Sequence, residues 1–148
     1  VDVDQFKRLN GSWGHAAGDQ VLVPLGQLLP QQVRDKDLVA RFGGEEFILL
    51  LNRVQMSEAH AIVDRVRAQM SAHAFEHLPE RIRMTASFGI VPVRSAEELA
   101  EALCQADALL YAAKGAGRDC VQAAMTAAKP VDDERAAIES VANTALSA

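Results

Sequence analysis

Two apolar runs, Leu38-Val39-Ala40-Arg41-Phe42 and Phe47-Ile48-Leu49-Leu50-Leu51, are separated only by Gly43-Gly44-Glu45-Glu46. Strand-like runs joined through Gly-Gly read as a β-hairpin, because glycine accepts the positive φ that primed turns need. The middle of the chain is thereby committed to an antiparallel ribbon, and the other elements must be fitted around it. A hairpin has no use for the paired acids at its tip. Glycines that let a ligand approach the main chain, beside carboxylates that can hold a hard cation, suggest a metal–phosphate site. Taken alone, the same letters also describe a solvated polar turn.

The rest of the order follows from periodicity. Val1-Asp2-Val3-Asp4 alternates apolar and acidic residues, as the end of a strand does. Phe6 to Asn10 is short and helix-like, and Gly11 stands where a helix C-terminal glycine is expected. A helix is predicted from about Ala16 to Val33, with Val21, Leu22, Leu25, Leu28 and Leu29 on its apolar face. Pro24, Gly26 and Pro30 should kink it or end it early, each Pro costing about 3 kcal/mol and the Gly about 1 relative to Ala.

Beyond the hairpin, Ser57 is the expected N-cap of a helix carrying Ala59, Ile62, Val63, Val66 and Met70 on one side. Ile82, Met84, Ala86, Phe88 and Ile90 alternate as a half-buried strand that Pro92 ends. Ser95-Ala96-Glu97-Glu98 is a capping-box pattern opening a helix through Leu99, Leu103, Ala106 and Leu110. Gly115 and Gly117 stop that helix, and Cys120-Val121 begins a last short strand. The resulting β-α-β-β-α-β core is the ferredoxin-like arrangement, an α/β fold of the α+β sandwich type with helices on one face of a sheet.

A length of 148 residues suits one domain with a single core. No apolar run approaches the roughly 20 residues of a membrane span. Cys104 and Cys120 lack metal-ligand spacing and read as reduced cytoplasmic thiols. The formal charge of −5 argues against a broad nucleic-acid surface, so any phosphate binding must be local.

Three stretches in one order carry a resemblance. The opening DVDQFKRLNGSWGHAAGD (Asp2 to Asp19), the hairpin tip GGEEF, and ADALLYAAKGAGRD (Ala106 to Asp119) are together similar to the motifs of the GGDEF family, the diguanylate cyclases. The likeness covers residues 1–122, with 123–148 an Ala-rich tail expected to be weakly helical or disordered. It implies a palm-like sheet similar to nucleotidyl cyclase catalytic domains. It also implies that the family's N-terminal helix and the start of the first strand lie upstream, with a sensor or receiver domain ahead of them.

The activity implied by this resemblance is condensation of two GTP molecules into cyclic di-GMP and two pyrophosphates. By the same resemblance Asp2, Glu45 and the Val3 carbonyl hold Mg²⁺ or Mn²⁺, for which hard oxygen ligands are suited. Glu45 is the family's candidate acceptor of the hydroxyl proton, a metal-bound base being the other, and Glu46 and Lys7 complete the catalytic group. Asn10 and Asp19 match the guanine contacts; a carboxylate accepts from N1–H and N2–H₂, and an Asn amide pairs with the remaining edge. His15 either touches the nucleotide or caps its loop. Gly43 and Gly44 admit the substrate to bare backbone, and Lys7, Lys114 and Arg118 are the cations for the triphosphate.

Arg34 and Asp37 match the family's RxxD product-inhibition site, with Arg65 as an added contact; Arg can fork onto phosphate while a carboxylate reads a guanine edge. Gly11 departs from the Asp usual after the motif Asn. A GTP substrate, cyclic di-GMP as product and inhibitor, and a homodimer in which two GTP-loaded domains face each other are the partners expected. The rival readings are a module that senses cyclic di-GMP or GTP without turnover, a pure interaction domain, and a cyclase- or polymerase-like enzyme for another nucleotide.

Overall fold

The computed structural model describes residues 1–75, 78 and 82–124. Its elements run β1 (Asp2–Val3), α1 (Phe6–Trp13), α2 (His15–Gln32), β2 (Leu38–Arg41), β3 (Phe47–Leu50), α3 (Met56–Ala72), β4 (Ala86–Ile90), a 3-10 turn (Ala96–Glu98), α4 (Leu99–Gly115) and β5 (Val121–Ala123). Strand β1 pairs antiparallel with β4, and β4 pairs parallel with β5. The β2–β3 hairpin joins the other edge of β1 through an Asp2–Glu46 bridge, with Val3 N–H donating to Glu45 O at 3.2 Å and Phe47 N–H to Val1 O at 2.9 Å. The spatial order is therefore β2-β3-β1-β4-β5. Its first four strands are the ferredoxin-like core, and β5 extends it.

Strand alternation decides which helices cover which face. Val3 and Ala86 are cross-strand partners, and they join Phe88, Phe47 and the buried stripes of α2 and α3 in one cluster. Val21, Leu29, Val66, Ala86 and Phe88 are all at most 1% exposed there. The intervening β4 residues point to the second face, which α4 covers. A Cβ built on Gly89 would lie 2.2 Å from the Ala106 carbonyl oxygen of α4. Helices thus cover both faces, not one, because the β4-α4-β5 crossover needs a helix of its own to bury the second side.

Several boundaries differ from expectation for local reasons. Helix α1 runs through Gly11 to Trp13 and is ended by Gly14, whose φ is +79°. Helix α2 does not stop early: it continues past Pro24 and Pro30. Burial of Val21, Leu22, Leu25 and Leu29, at roughly 1.5–3 kcal/mol per side chain, offsets the two prolines. Gln55, rather than Ser57, occupies the N-cap position of α3, leaving Ser57 inside the first turn. The strand covers only Ala86–Ile90 of the longer stretch expected, although Met84 remains buried in alternation with it. Instead of the Ser95 capping box, Glu98 reaches back to accept from Arg94 N–H at 3.1 Å. The tail expectation from residue 125 onward lies outside the described residues.

Candidate active site

The hairpin tip is not a primed two-residue turn. Among the described glycines only Gly14 and Gly117 have positive φ, and the loop instead closes through Phe42 N–H and Gly43 N–H donating to Glu46 O at 2.8 and 3.3 Å. The glycine at 43 serves close approach: a Cβ there would lie 2.5 Å from Glu46 Oε2. Arg41, the last residue of β2, holds the other side of the tip by donating to Gly43 O at 3.2 Å and Gly44 O at 2.7 Å. Sequence reasoning passed over Arg41 as one polar residue of a strand. A cation immediately before a bare Gly-Gly backbone, whose carbonyls need donors, is the signal that could have found it.

Asp2 sits where β1, the hairpin and α4 converge. It is 5% exposed, lies across from Ser87 on β4 and from Glu46 on the hairpin, and is paired with Lys114 Nζ at 2.7 Å. Lys114 reaches it because α4 lies close on β4 at Gly89 and ends over β1. The register sets Glu46 directly opposite Asp2, while Glu45, half-buried, adjoins Val3 through its carbonyl. The Val1 nitrogen donates to Phe47 O at 2.9 Å, which fastens the hairpin to the start of β1.

Asp2, Glu45 and Glu46 offer only hard oxygens, which suits Mg²⁺ or Mn²⁺. Among the described residues no group of three or more His, Cys, Asp or Glu side chains is already gathered to hold an ion. The buried Asp2 carboxylate has Lys114 as its counter-charge, and a divalent ion would share that carboxylate with the ammonium. The donor chemistry therefore fits a divalent ion.

Asn10 lies one turn before the end of α1, and its Oδ1 is buried without a hydrogen-bond partner. Beneath it is Gly18 of α2, where a Cβ would come within 2.3 Å of that oxygen and 2.7 Å of Phe6 Cζ. An orphaned buried amide oxygen carries a penalty of about 1–3 kcal/mol unless something binds it. Asp19, the next residue, is exposed and lines a cleft of about 450 Å³ with Leu22, Val23, Val39, Arg41 and Phe47. Lys7 and His15 are exposed on α1 and at the start of α2, and Arg118 is exposed on the turn after α4.

The Arg34–Asp37 turn is distinct from this cluster and already closed on itself. Asp37 accepts from Arg34 N–H at 2.9 Å and Asn52 N–H at 2.8 Å, and the Arg34 guanidinium pairs with Glu58 at the start of α3. Arg65 is occupied as well, donating to Gln32 Oε1 at 2.8 Å and Gln32 O at 2.9 Å at the end of α2.

Residues 1–120 match the family described as Diguanylate cyclase, GGDEF domain. Diguanylate cyclase DgcP of Pseudomonas aeruginosa is 39% identical over 124 residues, covering 84% of this chain and 18% of that protein. Diguanylate cyclase A of Treponema denticola is 36% identical over 122 residues, covering 82% and 33%. The chain thus spans a third or less of the length of these curated relatives. Among solved structures, the diguanylate cyclase SiaD of Pseudomonas aeruginosa, in complex with its activator SiaC, superposes with a TM-score of 0.77 at 39% identity, covering 83% of this chain and 47% of that one. The GGDEF domain of DgcB from Caulobacter crescentus, in complex with c-di-GMP, also gives 0.77, at 30% identity and 84% and 75% coverage.

Proposed function

The chain belongs to the GGDEF family of diguanylate cyclases, and on that premise we propose that it catalyses condensation of two GTP molecules into cyclic di-GMP. In each half-reaction the 3′-hydroxyl of one GTP bonds to the α-phosphorus of the other. The bond from that phosphorus to its bridging oxygen breaks, pyrophosphate leaves, and the hydroxyl proton passes to a base. One domain holds one GTP, so two domains must face each other and the homodimer is the active unit. The cytoplasm, where GTP is available, is the compartment this requires.

Asn10 and Asp19 read the guanine. The unpaired Asn10 oxygen takes a donor from the base edge, and the exposed Asp19 carboxylate takes others. Lys7, Lys114 and Arg118 neutralise the triphosphate, supplying charge where it builds during transfer. Gly43 and Gly44 let the nucleotide approach the main chain, and Arg41 keeps that loop in one shape. A Mg²⁺ or Mn²⁺ held by Asp2, the Val3 carbonyl and Glu45 would polarise the phosphate and acidify the attacking hydroxyl. Glu45 is the acceptor for the proton.

The observation that carries the reading is the buried Asp2 carboxylate, set between the acidic hairpin tip and Lys114. It is tested by incubating the protein with GTP and Mg²⁺ and separating the nucleotides; cyclic di-GMP and pyrophosphate are expected, and no product would favour a non-catalytic sensing module. ATP in place of GTP should give no cyclic dinucleotide.

Gly18→Ala forces the Asn10 amide aside. Losing one hydrogen bond of this kind should raise KM for GTP by roughly 3–10-fold, with a smaller change in kcat. Steady-state kinetics with an unchanged KM would show that Asn10 does not contact the base.

Arg34, Asp37 and Arg65 form the site for feedback by cyclic di-GMP. Product binding there must take Arg34 from Glu58. Arg34→Ala should relieve product inhibition and leave initial rates largely intact, because no catalytic group is touched. Equal inhibition of variant and parent by added cyclic di-GMP would remove the assignment.

A further inference from the structure

Asp4 is 3% exposed and belongs to none of the groups assigned above. Its carboxylate accepts from Thr85 Oγ1 at 2.7 Å, Ser87 Oγ at 2.7 Å and the Asp119 backbone N–H at 3.0 Å. Ser87 lies on β4, and Thr85 immediately precedes that strand. The third is 115 residues away, in the turn that follows α4. Three neutral donors around one buried carboxylate make a strong, directional cradle.

That turn is unusual in its backbone. Arg118 and Asp119 both have positive φ, +67° and +45°, and two successive non-glycine residues adopt that region only when their surroundings hold them there. The holding groups come from two sides. Asp4, in the turn after β1, binds the Asp119 N–H, and Arg67 of α3 binds the Asp119 carboxylate at 3.0 Å. Arg67 is itself steadied by Asp64 at 2.7 Å. Hydrogen bonds to Asp64, and then to Asp119, raise the guanidinium above its ordinary value, so it stays charged at any working pH.

We propose that Asp4 is a positioning residue: with Arg67 it clamps Asp119 and so fixes the left-handed turn that presents Arg118 to the triphosphate. The inference rests on the assignment of Arg118 to phosphate made above. It gives Asp4, just past the end of the first strand, a role separate from Asp2, two residues earlier on it. Asp2 faces the reaction, whereas Asp4 ties three elements together behind it.

Asp4→Ala isolates the clamp. Asparagine would not, because its Oδ1 can replace the oxygen that Asp119 N–H and Thr85 Oγ1 share while its amide donates to Ser87 Oγ. Binding of α,β-methylene GTP, which cannot be condensed, is measured for the parent, Asp4→Ala, Arg118→Ala and the double variant, with Mg²⁺ in every titration. Losing a hydrogen bond to a charged group should weaken binding about tenfold in Asp4→Ala. The double variant should bind within about twofold of Arg118→Ala alone, because residues acting through one group are not additive. Multiplicative losses would mean general damage and overturn the proposal. A full effect of Arg118→Ala beside none from Asp4→Ala would overturn it while leaving the phosphate assignment standing; no effect of Arg118→Ala would remove both. Should Asp4→Ala not fold, Arg67→Gln loosens Asp119 from the α3 side and must obey the same non-additivity with Arg118→Ala.

Discussion

Glu45→Gln is expected to lower kcat by at least about 10²-fold at saturating GTP and Mg²⁺, equivalent to about 2.7 kcal/mol of transition-state stabilisation. Glutamine keeps the size of the side chain and its ability to accept a hydrogen bond. It removes the negative charge that attracts a divalent ion and the basicity that receives the hydroxyl proton. Both losses act on the chemical step, so the fall should appear in kcat and kcat/KM alike. Near-parental turnover would refute the role given to Glu45. The register makes the companion variant informative, because Glu46 is the hairpin acid set opposite Asp2. If Glu46→Gln costs more than Glu45→Gln, the carboxylate that works with Asp2 is Glu46. Initial-rate measurements on the two variants, made side by side, decide between the acids.

The element order was legible because most of the chain obeys simple periodicities. The apolar residues predicted for α3, Ala59, Ile62, Val63, Val66 and Met70, are all buried in it. The hairpin runs pair in register from Leu38 opposite Leu50 to Arg41 opposite Phe47. Local rules failed where tertiary contacts outweighed them. Pro24 and Pro30 do not end α2, since its leucine and valine stripe is anchored on the sheet. Gly43 and Gly44 were assigned a primed turn, yet their value lies in the space left for Glu46 and the carbonyls offered to Arg41.

The site was legible in a different sense. Motif letters named Asp2, Asn10, Asp19, Glu45, Lys114 and Arg118 as residues that belong together, and the fold brings Asp2 and Lys114 into contact. Letters could not say which groups hold those residues in place. Asp4 looked like one more polar position in a strand end, although its three donors are Thr85 and Ser87 at the start of β4 and Asp119 in the turn after α4. Arg67 likewise looked like a solvated helix cation before Asp119 gave it a partner. Such supports depend on long-range approach, and no local pattern encodes that.

Gly89→Ala should have the largest effect on stability of any single methyl added to the chain. Gly89 lies in β4 where α4 crosses it, and the new Cβ would stand 2.2 Å from Ala106 O and 3.0 Å from Leu110 N. Both are backbone atoms of a helix, so no side chain can rotate away and the whole helix must shift. Overpacking of this sort costs about 1–3 kcal/mol, and more where the obstruction is rigid. Gly11→Ala is the matched control. Nothing lies within 4 Å of a Cβ there, and alanine inside α1 should stabilise by about 0.5–1 kcal/mol. Thermal melts should therefore move in opposite directions for the two variants. The consequence of Gly89→Ala reaches the site, because Lys114 is near the end of the displaced helix and its 2.7 Å pairing with Asp2 depends on how closely α4 approaches the sheet. Folded Gly89→Ala protein should bind GTP more weakly than the parent. A parental melting temperature together with parental affinity would mean that the strand–helix contact is looser than these distances make it and that Lys114 does not owe its position to Gly89.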